Sequence, residues 1–225
     1  MQMDTGSNEE TQGEFTSGLR SMETAHKPML MLRCKVVIVG DACVGKTALV
    51  QVNDSGNYPK SYMMTSWVDM TIKQVAVPDT NAGVELFLFD CAGQTVFNQV
   101  ESNVMHYENA SYVVVVYDIG NRASFDHVLT WLSKVKAQRP QNAPPLPGVL
   151  IANKIDLRSD EPDAPTVVTT EEGATLAKNE GLDFFETSAA QQKDVDMPFH
   201  FIAHQFHKKY QETVKKSEQL SAAMM

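Results

Sequence analysis

From about residue 31 onward, short apolar runs alternate with segments whose apolar residues recur at helical spacing. Residues 36–39 read Val-Val-Ile-Val, residues 112–117 read Tyr-Val-Val-Val-Val-Tyr, and residues 148–152 read Gly-Val-Leu-Ile-Ala. Continuous apolar runs of this length suit parallel strands buried on both faces. Residues 67–77 and 84–89 form two further strands around a stretch at 78–83 dense in turn residues, so they predict an antiparallel hairpin. Residues 182–186 form the last strand. Helices are expected from residue 47, over 123–138, over about 170–180 and over about 198–216. In the second of these, Phe125, Val128, Leu129, Leu132 and Val135 make the apolar stripe. Strands alternating with helices define an α/β chain with a doubly wound sheet.

Residues 1–30 break this pattern, being rich in Ser, Thr, Gly, Glu and Gln, and predict a disordered tail. The domain is expected at 31–217, with a short tail at 218–225. The formal net charge of -9 argues against a general nucleic-acid or anionic-membrane footprint. Three cysteines without paired spacing fit a reducing compartment and give no zinc pattern.

The chemistry begins directly after the first strand. Gly40-Asp41-Ala42-Cys43-Val44-Gly45-Lys46-Thr47 follows the phosphate-loop pattern G-x-x-x-x-G-K-[ST], and Ala48 continues it into a helix. Backbone N–H groups at that helix start point at an anion. Lys46 places a charge on the outer phosphates, and the Thr47 hydroxyl can ligate Mg²⁺. Asp90, at the end of another strand, can hold Mg²⁺, and Gly93 can bring its N–H to the γ-phosphate. Gln94 can orient an attacking water, and Thr65 can complete the Mg²⁺ shell. Asn153-Lys154-x-Asp156 follows a third strand, and the Asp156 carboxylate can accept two N–H bonds from guanine where adenine presents an acceptor. Ser188 and Ala189, after the last strand, can offer backbone N–H groups to the guanine carbonyl. Motifs that follow different strands of one open sheet can converge on one ligand.

Together these motifs resemble the small GTPases of the Ras superfamily, the Rab branch most of all, over about residues 33–215. The resemblance implies a phosphate-loop domain with a mostly parallel six-stranded sheet and helices on both faces. It implies GTP/GDP and Mg²⁺ as cofactors, and GTP hydrolysis that is slow without an activating protein. It makes Tyr58 the aromatic beside the guanine, residues 58–65 the first switch and residues 90–97 the second. Lys46, Thr65 and Gln94 are then the catalytic set, and Thr47, Thr65 and Asp90 the metal set. The 77–80 and 84–90 stretches, with Met197-Pro198-Phe199-His200, are similar to the Rab-like GTPase subunit of intraflagellar transport complex B. That likeness implies a heterodimer with a small β-sandwich partner, other complex subunits, and residence in the cytoplasm, the cilium or flagellum and its basal body.

The departures matter too. Cys43 stands in the loop where a positive φ would strain a non-glycine residue. Trp67 stands where Rab proteins carry glycine after the switch threonine. The chain ends Ser-Ala-Ala-Met-Met with no prenylatable cysteine, so no direct lipid anchor is expected. Alternatives are a nucleotide-stabilised adaptor without significant hydrolysis, a non-prenylated vesicle-traffic switch, and an ATP-dependent kinase, which the guanine motif disfavours. His200, His204 and His207 in the last helix are read as a polar face rather than a metal site.

Overall fold

The computed structural model describes residues 30–61, 63–93, 104–140, 142–158 and 168–223. Residues 1–29 of the expected N-terminal tail and Gln94 lie outside the described residues, and Leu30 belongs to the first strand. The first strand, β1 (Leu30–Val39), feeds the phosphate loop and α1 (Lys46–Ser55). Gly56 ends that helix with a left-handed φ of 68°, a conformation that favours glycine. The hairpin forms as expected from β2 (Val68–Ala76) and β3 (Ala82–Cys91), paired antiparallel. A short helix, α2 (Val104–Tyr107), precedes β4 (Tyr112–Asp118).

The single helix expected over 123–138 is two helices. They are α3 (Arg122–Asp126), capped by the Asn121 side chain, and α4 (Val128–Ala137), which starts after His127. The break changes the buried stripe. Val128, Trp131, Leu132 and Val135 are buried, at i, i+3, i+4 and i+7, while Leu129 is left exposed. Then come β5 (Gly148–Asn153), α5 (Thr170–Glu180), β6 (Asp183–Thr187) and α6 (Met197–Ala223). Thr169 and Glu172 start α5 with a reciprocal capping box. The last helix continues through residue 223, past the boundary placed at 217.

The six strands described form one sheet in the order β2-β3-β1-β4-β5-β6, parallel except for the β2–β3 pair. Because β1 and β4 are neighbours, the chain leaves their carboxyl ends in opposite directions, toward β2 and β3 from β1 and toward β5 from β4. Such a switch point opens a crevice at the strand ends, and the phosphate loop sits in it. Each sheet face is covered by its own apolar layer. Val36, Ile38, Leu86 and Leu88 pack with Leu49 of α1 and with Phe199 and Ile202 of α6. Val37, Val113, Val115 and Tyr117 pack with Val128, Trp131 and Leu132 of α4 and with Ala177 of α5. Burying each such large side chain contributes about 1.5–3 kcal/mol, enough to fix the strand ends against each other.

Candidate functional site

The phosphate loop is shaped by three residues with positive φ. Gly40 has φ 145°, and a Cβ there would lie 2.1 Å from the Val116 carbonyl oxygen. Gly45 has φ 99°, and a Cβ there would lie 2.3 Å from Asn153 Nδ2. Between them Cys43 has φ 64°, the strained position that its place in the loop suggested. The first N–H groups of α1 have no side-chain cap, which leaves them to face an anion.

Lys46 is buried, and its ammonium donates to the carbonyl oxygens of Gly40 at 2.9 Å and Asp41 at 2.8 Å. Burial pulls its pKa below the ordinary lysine value, while Asp90 pulls the other way. The Thr47 hydroxyl donates to Asp90 Oδ2 at 2.5 Å and lies 2.9 Å from the Thr65 hydroxyl. Burial raises the Asp90 pKa, opposed by the Thr47 hydrogen bond and the Lys46 charge. Asp90 Oδ1 is buried with no hydrogen-bond partner. Two hydroxyls and a carboxylate with an unpartnered buried oxygen are hard oxygen donors, and they fit Mg²⁺. At Gly93 a Cβ would lie 2.4 Å from Ala42 N, so only glycine lets that backbone press on the phosphate loop.

A cavity of about 670 Å³ opens between the phosphate loop and the first switch. It is lined by Ala42, Cys43, Gly45, Lys46, Thr47 and Ala48, by Tyr58, Met63, Met64 and Thr65, and by Gly93 and Lys154. This volume lies in the range of small-molecule sites. Tyr58 stands half-exposed at its wall.

The guanine-type motif is braced from within. Asn153 Nδ2 donates to the Val44 carbonyl at 2.8 Å, tying β5 to the phosphate loop. Its Oδ1 accepts from the Thr187 hydroxyl at 3.1 Å and from the Ala189 N–H at 3.2 Å. Lys154 adopts φ 67° and donates to Asp118 Oδ2 at 2.7 Å. Asp156 is exposed, and its Oδ1 accepts a short hydrogen bond from the Ser188 hydroxyl, which orients the carboxylate. The Ser188 N–H donates to the Lys193 carbonyl at 3.1 Å. Asn153 thus acts here as an internal brace. The N–H groups of Ser188 and Ala189, expected to face a guanine carbonyl, are engaged within the protein.

Sequence spacing missed several supports of the site. Asp118 holds Lys154, and Thr187 holds Asn153. Trp131 Nε1 donates to Asp41 Oδ1 at 2.8 Å, and His127 Nδ1 lies 2.7 Å from Asp41 Oδ2. An acidic residue in a loop built for anions was the one available signal. The three histidines of α6 do not converge, because His207 is buried while His200 and His204 are exposed. Among the described residues no group of three or more His, Cys, Asp or Glu side chains is arranged to hold a metal ion.

A sequence profile of the Ras family matches residues 35–208. The chain belongs to the Ras family, whose members bind GTP and GDP with Mg²⁺. Within it, the chain is similar to Intraflagellar transport protein 27 homolog of Homo sapiens, at 39% identity over 83% of this chain and 97% of that protein. It is also 38% identical to Intraflagellar transport protein 27 of Chlamydomonas reinhardtii, over 81% of this chain and 88% of that protein. The Ras-related protein Rab-1 of Theileria parva is 34% identical over 75% of this chain and 72% of that protein. No described helix is long and apolar enough to cross a membrane.

Proposed function

We propose that the chain is a Rab-like GTP/GDP switch of the intraflagellar transport machinery that hydrolyses GTP slowly on its own. The observation that carries this reading is the constellation at the strand ends: Lys46 held by two loop carbonyls, Thr47 on Asp90, and Asp156 oriented by Ser188. The transport role rests on 39% identity to a protein named for intraflagellar transport, over nearly that protein's whole length. Its assembly state on this reading is a heterodimer with a small β-sandwich subunit of complex B, located in the cilium or flagellum and at its basal body.

In the working site Lys46 faces the outer phosphates, and Asp156 accepts from the guanine edge. Thr47, Thr65 and Asp90 would hold Mg²⁺. When bound, the ion neutralises charge on the phosphates. The Gly93 N–H faces the γ-phosphate, so loss of that group releases both switch segments. Gln94 orients the attacking water.

Single-turnover hydrolysis with Mg²⁺, beside Gln94→Leu loaded equally with GTP, tests this. We expect slow turnover by the wild type and a loss of about tenfold or more in the variant. Equal rates would remove Gln94 from the mechanism. Loading without turnover in either protein would leave a nucleotide-stabilised assembly subunit.

A further inference from the structure

A carboxylate within a phosphate-binding loop is an electrostatic problem. The loop presents N–H groups to an anion, and a second negative charge beside them opposes the ligand. Asp41 is such a residue. Its carboxylate is taken up by two donors, the Trp131 indole of α4 at 2.8 Å and the His127 ring, just before α4, at 2.7 Å. Trp131 is fully buried, whereas the His127 side chain is 29% exposed, so one donor is fixed in the core and the other sits at the surface. The backbone carbonyl of the same Asp41 accepts from Lys46 at 2.8 Å, and it packs against Gly93 at the start of the second switch. One residue therefore joins α4, the phosphate lysine and the second switch.

We propose that His127 and Trp131 are positioning residues for nucleotide binding. They hold the Asp41 carboxylate away from the bound phosphates and fix the carbonyl that orients Lys46. The break between α3 and α4 falls at His127, which is the residue preceding the first turn of α4. The interruption of the helical pattern thus has a use: it puts a ring nitrogen within reach of a loop 86 residues earlier in the chain. Removing both donors would release a carboxylate toward the phosphates. Neutralising that carboxylate in the same background would relieve the repulsion, an effect that loss of packing alone cannot produce.

The inference rests on guanine-nucleotide binding, and the experiment separates the two. Dissociation of a fluorescent GDP analogue with Mg²⁺ is followed for wild type, H127A, H127A/W131F and H127A/W131F/D41N. Loss of hydrogen bonds to a charged group predicts release about tenfold faster in H127A/W131F. Adding D41N should recover most of that change. Because the repulsion is screened by salt, the excess release rate of H127A/W131F should shrink at high ionic strength. Unchanged release in H127A and H127A/W131F, or no recovery with D41N, would overturn the proposal. Should H127A/W131F fail to fold, the pair H127A and H127A/D41N decides by the same comparison. A wild type that holds no guanine nucleotide would instead sink the nucleotide reading itself.

Discussion

At the scale of single residues, the three cysteines separate by environment. Cys34 and Cys91 are buried, and burial pushes each thiol from 9.0 up to about 12. Cys43 is exposed and lines the cavity. Since the thiolate is the reacting species, a thiol reagent at pH 8 should add once to the folded protein, at Cys43, and Mg²⁺–GDP should slow that addition by covering it. Mass spectrometry of the labelled peptides checks this, and early adducts at Cys34 or Cys91 would contradict it. The strain at Cys43 was legible in the sequence, because its place in a loop that curls around phosphates calls for a positive φ. The role of Gly45 was legible only in part. Freedom for phosphate is one reason for glycine there, but the 2.3 Å approach of Asn153 to a would-be Cβ is a second, and no spacing rule reveals it.

Among elements, the loops at the strand ends depend on one another. Asn153 joins the phosphate loop through Val44 and the last guanine-type loop through Thr187 and Ala189. It is buried, so truncation leaves donors and acceptors without partners rather than returning them to water. Asn153→Ala should cost about 3 kcal/mol in denaturant unfolding without nucleotide, more than loss of a base contact alone would cost. A change below about 0.5 kcal/mol would mean the brace is idle. Element types were largely legible from apolar runs and periodicity. The break at His127 was not, because residues on both sides of it keep apolar spacing. The partners of Asp41 lie 86 and 90 residues away, beyond the reach of any local pattern. The length of α6 was underestimated because its last turns bury almost nothing, so periodicity fades while the helix continues.

At the scale of the whole molecule, the resemblance implied a mostly parallel six-stranded sheet, but the order β2-β3-β1-β4-β5-β6 is a finding of the structure, because periodicity gives strands and not their neighbours. That order places the loops after β1, β3 and β5 around one crevice, so ligand binding couples to stability of the entire sheet. Mg²⁺–GDP at a thousandfold excess over its Kd should stabilise the fold by about 4 kcal/mol, read as a rise in melting temperature that chelation of the metal reverses. The edge strand β2 and the segment before it expose Met63, Trp67, Met70 and Ile72, and Met63 lines the cavity. The glycine expected of a Rab at position 67 is thus replaced by a large exposed ring, not by one that packs inward. On the proposed reading this crevice selects guanine through Asp156. The most direct measurement of that selection is displacement of a fluorescent GDP analogue by GDP and by ADP, in wild type and in Asp156→Ala, with Mg²⁺ present. We predict that GDP competes with wild type at least about 1,000-fold better than ADP, because adenine presents an acceptor to the Asp156 carboxylate where guanine presents donors, and that the variant loses most of this preference. Equal competition by ADP, or a variant with unchanged selectivity, would contradict the account.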